Sequence, residues 1–277
     1  MYHNFKILVQ KIVKNKCCTE QIIHIIFDNN LSTAEKIVDI SNIVFPPHSK
    51  IFYGVSNKSH VATKINNYIR NKFPNIFNTS FPTIADIGGG NGNLLQDLSD
   101  KIPDTRMICI ESESEWSEPY QFSCPNVDYL LWNGRTNFFS LNAHVFNVVI
   151  ASVSLHHMTN ETLNQLMSNI QTTARPYSIL IIKEHDCTSP NDHNIIDWEH
   201  HLYHITQINR AMTMNDAMSY LNSPNVINLK TKVEMDRFIK SYGYIKIDEL
   251  NRHMEYPTNR DSRNPTKLYW SVYQKSP

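Results

Sequence analysis

Four of the seven glycines in this 277-residue chain fall at Gly88, Gly89, Gly90 and Gly92. They stand in Ile84-Ala85-Asp86-Ile87-Gly88-Gly89-Gly90-Asn91-Gly92-Asn93, between a short apolar run and a helix-like stretch. In a chain so poor in glycine, this cluster reads as a tight turn whose bare backbone lets a ligand come close. The amides that open the following helix would face that ligand. Spacing narrows the ligand. A dinucleotide loop needs Gly-x-Gly-x-x-Gly, yet the sixth position counted from Gly88 is Asn93, and a count from Gly90 fails as well. What remains is Asp86-x-Gly88-x-Gly90-x-Gly92. A carboxylate at the strand end would repel a pyrophosphate and attract a cationic ligand carrying an α-amino group.

The loop needs a strand before it and a helix after it, and the surrounding pattern supplies both. Thr83–Ile87 reads as a strand, Asn93–Lys101 as a helix and Arg106–Ile110 as a second strand. Val127–Trp132, Val145–Ser152 and Ser178–Lys183 continue the series, with a helix over Glu161–Ala174. Strands alternating with helices imply crossovers and a parallel sheet. The chain closes with a helix over Val233–Tyr242 and strands at Tyr244–Glu249 and Lys267–Gln274. Between those last strands, Pro257, Asn259, Asp261, Asn264 and Pro265 leave no helical pattern, so an antiparallel pair is expected at the sheet edge. Residues 1–72 read as helices, with Thr19 as a start signal for one of them. The expected class is therefore α/β: a Rossmann-like, seven-stranded, mostly parallel sheet with an antiparallel last strand over 73–277, preceded by an α-helical region over 1–72.

The Asp-x-Gly-x-Gly-x-Gly segment after a strand resembles the motif of class I S-adenosylmethionine (SAM)-dependent methyltransferases. The resemblance covers Thr83 to the C-terminus and implies SAM as cofactor. It implies that Asp86, Gly88, Gly90 and Gly92 hold the methionine part and that Glu111, at the end of the second strand, accepts hydrogen bonds from ribose hydroxyls. Asn133, after the third strand, stands where the family reaches the adenine, and Ser152 opens the segment that encloses the methyl group. The Leu155-His156-His157 stretch resembles family members in which it walls the donor pocket. The acceptor is then expected near the ends of strands four and five, past His157, Lys183 and His185. An imidazole titrates near neutral pH, which makes His157 and His185 the candidate bases.

Glu184-His185-Asp186, followed by His193, Asp197, Glu199, His200 and His201, invites a metal reading, because Asp197 would share a helical face with either of the last two. No His-Glu-x-x-His spacing occurs, so no metal is assigned and the stretch reads as an acceptor-pocket wall. RNA 2′-O-methyltransferases of the FtsJ-like type use a Lys-Asp-Lys-Glu tetrad. Lys64 and Lys183 match its lysines, but Ser152 stands in the aspartate position and Thr266-Lys267 offers no clear glutamate.

The formal net charge is zero, which exerts no global pull on nucleic acid or an anionic membrane. Its distribution is uneven. Residues 1–72 hold ten Lys/Arg against four Asp/Glu, 230–277 hold ten against six, and 73–229 hold six against sixteen. Basic ends around an acidic centre suit a polyanion outside and a cationic cofactor within. The Asn, Ile and Lys richness, with few glycines, resembles proteins from AT-rich genomes, including large DNA viruses, some of which encode RNA-modifying methyltransferases. RNA, its cap included, is the favoured acceptor; a small molecule, a protein side chain, or a catalytically inactive stimulatory subunit are the alternatives. Five cysteines without CxxC spacing, no secretory signal and no apolar run of about 18 residues suggest a cytoplasmic protein without a membrane partner.

Overall fold

The computed structural model describes residues 1–13, 16–46, 59–112, 126–138, 145–223, 227–250 and 265–277. The turn segment around Pro257, Asn259, Asp261 and Asn264 lies outside them. Seven strands form one sheet: β1 (Thr83–Ile87), β2 (Arg106–Ser112), β3 (Asp128–Trp132), β4 (Phe146–Ser152), β5 (Ala174–His185), β6 (Tyr244–Leu250) and β7 (Leu268–Lys275). Their order is β3-β2-β1-β4-β5-β7-β6. Neighbours from β3 to β5 run parallel, and β7 runs antiparallel to both β5 and β6. The expected seven strands and reversed last strand are both present.

Alternation along the strands feeds two cores, as expected for a sheet covered on both faces. On one face Ala85, Ile87, Ile110, Val149 and Ile182 pack with Leu166 and Ile170 of α6 (Asn160–Thr173) and Ile239 of α9 (Lys232–Lys240). On the other, Ile84, Met107, Val148 and Ile181 meet Ile65 and Ile69 of α4 (Ser59–Lys72) and Leu94 and Leu98 of α5 (Asn93–Ser99). Caps place two of these helices. Thr159 accepts the Thr162 amide ahead of α6, and Thr231 with Glu234 forms a capping box on α9.

β5 begins at Ala174, four residues before the expected Ser178. Pro176 lies within this extension, where a proline cannot donate to a ladder. The pairing accommodates it with a register shift opposite Phe146–Val148, and Tyr177 adopts φ 62. Thr19 lies inside its helix rather than capping it: Cys18 is the N-cap and makes no side-chain cap bond.

The chain divides into two compact units. One is the sheet with α4, α5, α6 and α9. The other joins α1 (Tyr2–Val13), α2 (Thr19–Phe27) and α3 (Thr33–Val44) to α7 (Pro190–Ile208) and α8 (Met214–Asn222). This partition differs from a cut at 72/73, since α4 belongs with the sheet and residues from Cys187 join the N-terminal helices. The hydrophobic period did not reveal α7 and α8. The buried side of α7 mixes Ile195, Ile196, Leu202 and Ile205 with Asp192, Glu199 and Thr206, which blurs the apolar stripe. Those polar groups are paired within their own unit: Glu199 with Lys11 at 3.3 Å, and Asp192 with Lys267 at 2.8 Å. Among the described residues no helix is long and apolar enough to cross a membrane.

His201 of α7 receives or donates a hydrogen bond with the Tyr220 hydroxyl at 3.0 Å, and His204 stacks on the same ring at 3.7 Å. Burial, helped by His200 and His204, lowers the His201 pKa to about 4. An unfolded histidine titrates near ~6.5, so the unfolded chain binds the extra proton first and stability falls as pH drops from there towards 4. Thermal melting followed by circular dichroism should show this loss between pH 7 and pH 5. His201→Gln, which keeps a partner for Tyr220 but cannot titrate, should make the loss smaller.

Candidate active site

Parallel strands bring Asp86, Glu111, Ser152 and His185 to one end of the sheet, because all four stand at or near the C-terminal ends of their strands. Asp86 is 2% exposed and pairs in register with Cys109 of β2. Its carboxylate and the Cys109 sulfur lie directly under Gly89, where a Cβ would come within 2.8 Å of each. Asp86 therefore supports the loop from beneath.

The loop is fastened on several sides. The Gly88 amide donates to the Ile110 carbonyl at 2.8 Å, and the Gly92 amide donates to Gly89 at 3.2 Å. The Tyr129 hydroxyl donates to the Asn91 carbonyl at 2.9 Å. Glu111 reaches across to accept the Gly90 amide at 2.8 Å through one carboxylate oxygen and the Ser112 amide at 2.9 Å through the other. Gly88 and Gly90 adopt φ 65 and 59, in the left-handed region that disfavours a side chain. Their surroundings differ sharply. A Cβ on Gly88 would lie 2.5 Å from the Ser154 Cβ, whereas one on Gly90 would meet nothing within 4 Å among the described residues. The loop is closed beneath and along one flank, and open at Gly90.

The segment after β4 forms the closed flank. Val153 has φ 57 and its amide donates to the Lys183 carbonyl at 2.8 Å. Ser154 donates its hydroxyl to the Ile87 carbonyl at 2.8 Å, tying the end of β4 to the end of β1. Glu184 of β5, 2% exposed, accepts the amides of Ser154 and Leu155 at 2.9 and 2.8 Å on Oε1. Its Oε2 lies 2.8 Å from the Nδ1 of the equally buried His156. Burial works to raise the Glu184 pKa, but the His156 charge and hydrogen bond, with His185 and the Leu155 amide, outweigh it and bring the group to about 2. Ser154, Tyr129 and Cys109 were not singled out in the sequence, and Glu184 was read there only as part of a metal-like stretch and an acceptor-pocket wall. Glu184 stood beside the flagged His185, but nothing in the pattern shows that its partners are amides thirty residues away.

The three acceptor-side candidates sit in different environments. His157 is exposed, with its ring 4.1 Å from that of His156. His185 is buried, with its ring 5.2 Å from His156. Lys183 is half-buried, with its amine 5.7 Å from the Trp270 ring centre. The structure thus gathers His156, His157 and His185 in one chain of rings. Ser152 is half-buried and pairs in register with Lys183. Asn133 is exposed and spends its side-chain oxygen on a turn, accepting the Arg135 and Thr136 amides at 2.9 and 3.2 Å. Only its amide nitrogen is left to face an adenine. The charged stretch from His193 lies on α7, where Asp197 engages His193 at 2.8 Å and His200 contacts the Ile196 carbonyl.

The sequence matches no family model, and no curated protein matches it. Solved structures do match. An O-methyltransferase family protein from Burkholderia thailandensis superposes with a TM-score of 0.50 at 11% identity over 79% of this chain; the chain spans 57% of that protein's length. A CurJ carbon methyltransferase matches at 0.51 and 14% identity, over 99% of this chain and 68% of the other. The PH0226 protein of Pyrococcus horikoshii OT3 matches at 0.52 and 15% identity, over 85% of this chain and 98% of the other. The chain has the Rossmann-like methyltransferase fold. At such identities the likeness concerns the fold, and these neighbours give the large-DNA-virus resemblance no support.

The two open-or-closed glycines yield a direct test. Gly88→Ala must displace Ser154 as well as strain the backbone, and should cost about 2–4 kcal/mol in urea denaturation. Gly90→Ala meets only the left-handed backbone and should cost about 1–2 kcal/mol.

Proposed function

We propose that this chain is a methyltransferase that binds S-adenosylmethionine on the glycine loop and transfers its methyl group to an acceptor, with RNA the favoured class. The observation that carries the reading is the open space at Gly90, between the Asp86-supported loop floor and Glu111. Open space alone marks any exposed glycine, Gly243 included; at Gly90 it lies beside two carboxylates, which suit a cationic nucleoside. Glycine backbone admits the ligand, the Asp86 carboxylate lies 2.8 Å from a Cβ built on Gly89, and Glu111, which accepts the Gly90 amide at 2.8 Å, has lone pairs left for hydroxyl donors.

In this reading Asp86 with Gly88, Gly90 and Gly92 holds the methionine part and Glu111 grips the ribose. Asn133 approaches the adenine, and the segment from Ser152 walls the transferring group. Bound SAM supplies an already activated methyl group on a sulfonium. The protein's share is therefore to fix the acceptor in line and keep water out. His157, Lys183 and His185 flank the acceptor's path, and the exposed His157 is the residue best able to take a proton to solvent. Absence of the aspartate and glutamate of the Lys-Asp-Lys-Glu tetrad speaks against the FtsJ-like mechanism, so RNA rests on the basic chain ends. The N-terminal helical region over 1–72 would cap the pocket or recognise the acceptor.

Titration calorimetry with SAM should give a dissociation constant on the order of micromolar, equivalent to roughly 8 kcal/mol. Glu111→Ala should weaken it by about tenfold or more, and Gly90→Ala should do likewise by filling the gap. Wild-type protein that takes up no SAM would leave the alternative of an inactive, stimulatory subunit. Methyl label offered to separate pools of capped RNA, uncapped RNA, protein and metabolites then identifies the acceptor by which pool becomes labelled.

A further inference from the structure

We infer that Glu184 is the positioning residue of the donor seat: it sets the shape of the glycine loop through Ser154 without touching the ligand. The inference rests on the donor site proposed above, and it concerns a residue that lies on a different strand from that loop.

Four contacts make the chain of transmission. Glu184 holds the Ser154 and Leu155 amides on one oxygen at 2.9 and 2.8 Å, and His156 Nδ1 on the other at 2.8 Å. This fixes three consecutive residues after β4. Ser154 then hydrogen-bonds the Ile87 carbonyl at 2.8 Å, immediately before the glycines. Its Cβ occupies the volume that a side chain on Gly88 would need. A shift of the Ser154 backbone therefore moves the one group that both anchors the end of β1 and closes the flank of Gly88. Glu184 is wholly enclosed, so its hydrogen bonds compete with no water and leave little slack.

The geometry distinguishes shape from charge. Glutamine at 184 keeps an oxygen for the two amides and can pair its NH2 with a neutral His156; alanine keeps neither. Wild type, Glu184→Ala, Glu184→Gln and Ser154→Ala should be compared by SAM calorimetry, by melting temperature and by hydrogen exchange over 87–92. Glu184→Ala should weaken SAM binding roughly tenfold or more and Ser154→Ala by about three- to tenfold, while Glu184→Gln stays within about threefold of wild type. Exchange of the 87–92 amides should accelerate in the same order. Were Glu184→Ala not to fold, unchanged exchange at 87–92 in Ser154→Ala would overturn the inference. So would a Glu184→Ala protein that melts early yet binds SAM as wild type does, which is the signature of a purely structural role. Equal losses in Glu184→Gln and Glu184→Ala would overturn it in favour of charge. If the wild type itself binds no SAM, the donor-site reading fails, and the exchange measurements still decide the role of Glu184.

Discussion

Parallel pairing is the constraint on which everything else in the sheet unit depends. β1 pairs with β2 on one side and β4 on the other, and β4 pairs with β5, all in the same direction. Strand ends therefore gather along one edge, and crossovers must carry the chain back each time. Whatever polar chemistry stands at those ends is concentrated without any further device. The interior of each strand is free to be apolar on both faces, and the buried runs of β1 and β4 use that freedom.

Concentration has a cost, because polar groups at a crowded edge lose water. The structure answers by pairing them with one another across strands. Glu184 meets His156 and two amides, Glu111 meets the Gly90 amide, and Asp186 accepts the Lys232 amide that opens α9. Each bond joins elements far apart in the chain, so the edge is rigid where it is most polar. His157 stands apart as the exposed member of the group, where a side chain can exchange protons.

The sequence was legible where one physical cause acted alone. β1 and β4 read as strands because their apolar runs are short and bounded, and the glycines announced a turn because few other glycines occur. It was less legible where causes competed. Pro176 hid the start of β5, since a bulge absorbs it. Buried Asp192 and Glu199 hid the stripe of α7, since their partners Lys267 and Lys11 come from distant segments. Glu184 was invisible as a loop support because its partners are backbone amides, which carry no residue signature. Asn133 directly follows β3, and its oxygen is engaged in a local turn that the pattern did not announce.

The near contact between Gly88 and Ser154 links two segments that the chain separates by more than sixty residues. Positions 88 and 154 consequently form a single steric unit, in which the tolerable size of one residue depends on the other. Energies of substitution at the pair will not add, since removing the Ser154 side chain relieves the crowding that an alanine at 88 creates. Diversification at position 88 can then proceed only with a matched change at 154.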